Sequence, residues 1–216
     1  MIVGPMNDPS FLSSIPLFPL GTVLFPEGSL SLRIFEVRYL DMVRKCARAQ
    51  APFGVVALQS GSEVRRAGAA TEQLYGEGTL AHITELQEAQ PGLLLMHCRG
   101  GERFRLTRHE QLPHGLWVGD AELLATDPPV ALPEYLRPAA KLLAQLLQSH
   151  AQAAGEPPLP TREQINDCAW VANRWAEMLP LPTAVKQQLL TLDNPLLRLE
   201  LVADMLEERG LGRAAD

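Results

Sequence analysis

Residues 15–42 read IPLFPLGTVLFPEGSLSLRIFEVRYLDM, and the fold turns on how this stretch is read. The part from Pro16 to Pro26 sets three prolines among leucines, valine and phenylalanines. It is too apolar for a solvated tail and too rich in proline for a helix, so its backbone is extended. Pro16, Pro19 and Pro26 suit an edge strand and its exit loop, where a missing N–H costs least. From Ser29 to Phe35 the pattern alternates. Leu30, Leu32 and Ile34 point one way and Ser29, Ser31 and Arg33 the other, the period of a half-buried strand. From Glu36 to Arg48 the period changes to that of a helix. Tyr39, Met42 and Cys46 form one stripe and Leu40, Val43 and Ala47 the next, with Glu36 at the positive end of the helix dipole.

Further strands follow at short spacing. Phe53–Leu58, Thr79–Leu86, Leu93–Cys98 and Leu116–Leu124 are apolar or alternating runs, and Gly100-Gly101 predicts a tight hairpin turn with positive φ. This pattern predicts a small closed or nearly closed β-barrel with one early helix. ATDPPVALP, residues 125–133, is a composition break. Beyond it Leu136, Ala140, Leu143 and Leu147 mark one helical face, ended by GEPPLP at 155–160. Thr161 and Gln164 form a capping-box signature, followed by a stripe of Ile165, Ala169, Ala172, Ala176 and Leu179. Thr183 is a candidate cap for a short helix, and Asn194-Pro195 starts another that carries Leu199, Val202 and Leu206 and stops at Gly210. The fold class expected is α+β, a barrel over residues 14–126 and a carboxyl-terminal helical bundle over 130–212.

Composition narrows the function. The chain of 216 residues carries 19 Lys+Arg against 25 Asp+Glu, a formal charge of −6, and the excess is acidic in both halves. That disfavours nucleic acid, whose binders need local basic excess. Cys46, Cys98 and Cys168 are odd in number and far apart, a set of buried, reduced thiols rather than a disulfide frame. The amino terminus lacks the basic region of a secretory signal, and no apolar run spans a bilayer, so a cytoplasmic protein is expected.

Chemistry is sparse. No phosphate loop, nucleophile elbow, H-E-x-x-H or dinucleotide-binding glycine motif occurs. His82, His97, His109, His114 and His150 are scattered without metal spacing. Ser13, Ser14, Ser29 and Ser31 have no spacing partner that would activate them. Arg65-Arg66 and Arg103, Arg105 and Arg108 are the nearest approach to a basic patch and read as solvated charge over apolar surface. Trp117, Trp170 and Trp175 are candidates for a binding platform, with buried packing the reading for the two helical ones, Trp170 and Trp175. No catalytic, cofactor or metal residue is assigned, and a non-enzyme is expected.

The opening stretch resembles the amino-terminal, substrate-binding domain of the ATP-dependent Lon protease family. The likeness lies in Pro16–Leu20, Val23–Pro26, and Leu32–Tyr39 with Met42, with Val37 standing where the family usually has proline. Gly78-Thr79 with Ile83, Gly100 with Arg103-Phe104, Lys186-Gln187 with Leu190, and Arg198-Leu199 extend it to roughly residues 14–208. The resemblance implies a PUA-like barrel followed by a helical bundle. The sequence departs from that family in carrying no ATPase phosphate loop and no serine–lysine peptidase segment, so a free-standing module is expected. The role implied is binding of unfolded or tagged polypeptides or of a protein partner, a separate protease among them; such binding requires an exposed apolar groove, expected where barrel meets bundle. An RNA-binding PUA-like module is the alternative, and a small-molecule-binding barrel gathering His97, Arg103 or Trp117 is another.

Overall fold

The computed structural model describes residues 10–63, 72–154 and 159–211. Arg65, Arg66 and most of GEPPLP lie outside the described residues. The chain forms two compact units, Met1–Thr126 and Asp127–Asp216, and together they give an α+β protein.

The first unit holds six strands and one helix: β1 (Phe11–Leu20), β2 (Ser29–Ile34), α1 (Val37–Ala49), β3 (Phe53–Ser60), β4 (Gln73–Gln90), β5 (Leu93–Gln111) and β6 (Trp117–Leu123). The sheet order is β2-β5-β4-β3-β1-β6, and β5 pairs with β6 as well. The ladder of β5, β4, β3, β1 and β6 therefore closes into a ring. β2 stands outside it, antiparallel to the Leu94–Arg99 part of β5.

Two expectations about this unit are corrected. Gly100 and Gly101 make no turn: β5 runs through them, and neither has positive φ. The turns lie at Gly92 (φ 80°) and Gly115 (φ 88°). Gly100 is glycine because a Cβ there would sit 2.1 Å from the Phe25 carbonyl oxygen. The second correction is that β1 is a central strand, not an edge. It pairs with β6 over Phe11–Leu17 and with β3 over Leu17–Leu20. Because the partner changes at Leu17, Pro16 and Pro19 each have a ladder neighbour on one side only. A residue without an N–H is tolerated there.

This handover also explains the unbroken apolar run. Leu17 turns into the ring, where it packs with Val56, Leu80, Phe104, Trp117 and Ala121. Phe18 and Leu20 turn outward into a second core with Tyr39, Met42, Val43, Phe53 and Met96. β1 is buried on both faces, so alternation disappears. Each such side chain contributes about 1.5–3 kcal/mol by leaving water. Phe18 stacks on Tyr39 at 4.0 Å between ring centroids, which docks α1 on the sheet.

The connection between β1 and β2 is clamped by the residues that carry the family likeness. Thr79, fully buried, donates its hydroxyl to the Leu24 carbonyl at 2.6 Å. Gly100 donates its N–H to the Gly28 carbonyl and accepts from the Glu27 N–H, both at 2.8 Å.

The second unit is helical: a 3₁₀ turn (Glu134–Leu136), α2 (Arg137–Ala154), α3 (Arg162–Ile165), α4 (Cys168–Met178), α5 (Thr183–Thr191) and α6 (Pro195–Glu208). The capping box forms, with Gln164 N–H donating to Thr161 Oγ1 at 3.2 Å and Thr161 N–H to Gln164 Oε1 at 2.9 Å. The helix it starts is short, however, and the single stripe from Ile165 to Leu179 is broken in two. Residues 130–132 lie against the break: Leu132 N–H donates to Asn166 C=O and Cys168 N–H to Val130 C=O, both at 2.9 Å. Asp167 accepts from Val130 N–H and recaps α4 through Trp170 N–H, each at 3.0 Å. Thr183 is the first residue of α5 rather than its cap, a place Pro182 takes. Asn194 caps α6 as expected, accepting from Leu196 and Leu197 N–H at 3.1 and 3.2 Å.

Candidate functional site

Among the described residues no group of three or more His, Cys, Asp or Glu side chains is placed to hold a metal. No helix among them is long and apolar enough to cross a membrane. Cys46, Cys98 and Cys168 are free and buried. Burial pushes Cys98 up to about 12 and Cys168 up to about 11, and raises Cys46 and the Tyr39 phenol as well. None of the three is a thiolate nucleophile near neutrality.

These shifts predict alkaline lability. Each group is neutral when protonated and its folded value lies above the unfolded one, so above the ordinary thiol value of 9.0 the unfolded chain releases protons that the native chain keeps. Stability is complete below that pH and falls as pH climbs through the folded values. Urea midpoints should be level from about pH 7 to 8.5 and decline steadily from about 9 upward. A midpoint that stays flat to pH 11 would contradict the burial argument.

His97, Arg103 and Trp117 do not converge on one site, although His109 lies against Trp117 with ring centroids 5.7 Å apart. His97 and Arg103 lie on one strand six residues apart, roughly 20 Å along β5. His97 is on the exposed face, Arg103 is 5% exposed, and Trp117 packs inside the ring. One pairing was invisible in the sequence. Ser31 Oγ lies 2.9 Å from His97 Nδ1, because β2 and β5 set the two residues side by side. The pair stands on an open strand face, away from the two cavities beside α1. Cross-strand register, which one sequence does not carry, is the signal that would have found it.

Arg38 stands in the wall of a cavity of the first unit. It is 8% exposed, yet fully engaged. Its Nη1 donates to the Gly115 carbonyl at 2.6 Å, Nη2 pairs with Glu36 at 3.0 Å, and the guanidinium covers the Tyr39 ring at 4.5 Å. Glu36 occupies the cap position of α1 without capping it, its carboxylate being used on Arg38. This lock holds the β5–β6 turn against the start of α1. Between them opens a groove of about 490 Å³, its apolar wall formed by Pro16, Val37, Met42, Leu116 and Val118. Asp41 and Lys45 stand on the α1 side. Val37 is 74% exposed and the adjacent Phe35 56%, two large apolar side chains left in water. A smaller cavity of about 180 Å³ lies between the end of α1 and His82–Leu86 of β4. A groove of the larger size with an apolar wall and a few charges fits side chains of another molecule.

Several arginines of the first unit are paired with carboxylates. Arg105 pairs with Glu77 at 2.8 Å, Arg108 with Glu110 at 3.0 Å, Arg99 with Glu27 at 3.1 Å and Arg44 with Glu88 at 3.3 Å. In the second unit the motif residues are staples. Lys186 Nζ donates to the Glu177 carbonyl at 2.9 Å. Gln187, Leu190 and Leu199 are buried. Trp175 is buried and donates its indole N–H to the Ala139 carbonyl at 3.1 Å.

Comparison with known proteins agrees with this picture. No curated protein matches the sequence. The crystal structure of the Lon N-terminal domain protein from Xanthomonas campestris matches with a TM-score of 0.65 at 32% identity, covering 89% of this chain and 98% of that one. The N-terminal domain of the Mycobacterium avium complex Lon protease matches with a TM-score of 0.56 over 90% of this chain and 98% of that one. At 16% identity that second likeness speaks for the fold alone. The family model for the ATP-dependent protease La (LON) substrate-binding domain covers residues 14–208, and the chain belongs to that family.

Proposed function

We propose that this chain is a non-catalytic recognition module that binds unfolded or tagged polypeptide segments, using the groove beside α1. The observation that carries the reading is the exposure of Val37 on the wall of an apolar groove, with Phe35 exposed two residues before it, in a member of a substrate-binding family. The clamps at Thr79 and Gly100 hold the frame beside which Phe35 and Val37 stand exposed. Pairing of Arg44, Arg99, Arg105 and Arg108 with carboxylates supports a protein ligand over RNA, which needs unneutralised cations. In this reading residues 14–126 and 130–212 are separate domains. Three unbridged thiols suit the reducing cytoplasm.

The test is binding of denatured, fluorescein-labelled casein to the intact protein and to the double variant Phe35→Ser, Val37→Lys. Affinity should fall about tenfold, as for loss of a central apolar anchor, while thermal stability is unchanged because both side chains are exposed. Equal binding by the variant would remove the groove from the mechanism. Absence of saturable binding by either protein would refute the polypeptide reading itself.

A further inference from the structure

The closed ring disposes of most strand edges in the first unit, and β2 keeps one. It is the terminal strand of the sheet order and pairs only with β5. In an antiparallel ladder every second residue turns its N–H and C=O away from its partner. Among the described residues nothing bonds to those outward groups of β2.

Exposed edges are ordinarily blunted by proline, by a bulge or by lysine. β1 carries prolines, and the β1–β6, β3–β4, β4–β5 and β5–β6 ladders are each interrupted by register shifts. The β2–β5 ladder runs from Ser29 to Ile34 without one, and β2 contains no proline or lysine. The edge is straight and regular, as a template for pairing must be.

Its exposed face has a definite chemistry. Ser29, Ser31 and Arg33 point to water while Ile34 points to the core, and Phe35 continues the exposed row at the end of the strand. Arg33 makes no ion pair among the described residues, whereas Glu36 is engaged by Arg38 and Glu27 by Arg99. Directly opposed residues on neighbouring strands favour opposite charges and apolar pairs.

Building on the polypeptide-binding reading, we infer that the ligand adds to β2 as an extended strand, with an acidic side chain opposite Arg33 and an apolar one opposite Phe35. Main-chain hydrogen bonds supply affinity without regard to sequence. The acidic–x–apolar spacing supplies selection, because alternate residues of a strand share a face. Phe35 then joins the edge to the groove that begins at Val37.

The probe is a fluorescein-labelled decapeptide, rich in serine and threonine, with aspartate and phenylalanine two positions apart, titrated onto the intact protein. Two further peptides carry N-methyl groups on one or the other alternate set of backbone amides. One set should weaken binding about tenfold and the other leave it intact, since only one faces β2. Replacing the aspartate by lysine should cost about threefold, and Arg33→Glu should reverse that preference. Equal binding of both methylated peptides overturns strand addition. If casein still binds in that case, the polypeptide reading stands without it, and if neither casein nor peptide binds, both fail. A dimer at micromolar concentration with β2 amides protected from exchange would place a second copy on the edge and overturn the peptide assignment.

Discussion

Phe104→Ala is expected to destabilise the first unit by about 3–5 kcal/mol, at the upper end for loss of a buried aromatic ring. Phe104 is fully buried inside the ring of strands. Its space is created by the absence of other side chains. A Cβ on Gly54 would lie 2.8 Å from the Phe104 ring and 2.7 Å from Leu17 Cδ2, and one on Gly78 would also lie 2.8 Å from the ring. At Gly54 and Gly78 the wall is strand backbone held in its ladders, which limits collapse of the surrounding side chains into the void that truncation leaves. The same geometry predicts the sign of a coupling. Gly54→Ala alone overpacks the interior and destabilises. Combined with Phe104→Ala it fills part of the vacated space, so the double variant should be milder than the sum of the singles by about 1–2 kcal/mol. Hydrogen exchange read segment by segment reports the strands of this unit separately from the helices. A loss below about 1.5 kcal/mol, or strict additivity, would mean that the ring is not packed around Phe104.

Arg198→Ala should cost the helical unit about 3–5 kcal/mol, the usual result of removing one member of a buried ion pair. Arg198 is 1% exposed. Its Nη1 pairs with Asp127 Oδ2 at 2.6 Å and donates to Asn173 Oδ1 at 3.0 Å. Its Nη2 donates to the Leu192 carbonyl. One guanidinium thus ties α6 to α4, to the link between α5 and α6, and to the start of the unit at Asp127. Truncation leaves a carboxylate, an amide and a carbonyl deprived of their shared donor. Arg198→Lys keeps the charge but not the planar fork, and cannot serve all three acceptors, so it should recover only part of the loss. The effect should persist in about 1 M salt, because a buried pair is poorly screened. A full rescue by lysine, or disappearance of the loss in salt, would place the interaction at the surface and refute this account.

Both residues belong to motifs visible in the sequence, and so do Thr79, Gly100, Arg38 and Lys186. In the structure each of these fastens one piece of chain to another. Legibility was therefore high for the frame and low for the site. Phe35 and Val37 carry the candidate surface, and although both lie in the Leu32–Tyr39 motif, nothing in the sequence separates them from motif residues that only pack. Val37 is noted in the sequence only because it stands where the family usually has proline. What marks the two residues is that nothing covers them, and exposure is a property of the packed molecule. The Ser31–His97 contact and the open edge of β2 are of the same kind, since both depend on which strand lies beside which.

What the sequence determined by itself is what depends on near neighbours along the chain. The alternation of Ser29–Phe35, the helical stripe of Tyr39, Met42 and Cys46, the Thr161 and Asn194 caps and the clustered family motifs all act over a few residues, and they specify the elements and the α+β class. Tertiary structure decided what depends on distant chain. Proline in the middle of β1 is tolerated because the strand changes partners at Leu17. Gly100 is required by the Phe25 carbonyl rather than by a turn. The helix predicted from Thr161 to Leu179 breaks at Asn166–Asp167 because residues 130–132 bond into it. Local periodicity reports which way a side chain points, but not what waits there to meet it, and close packing of remote segments settles the second.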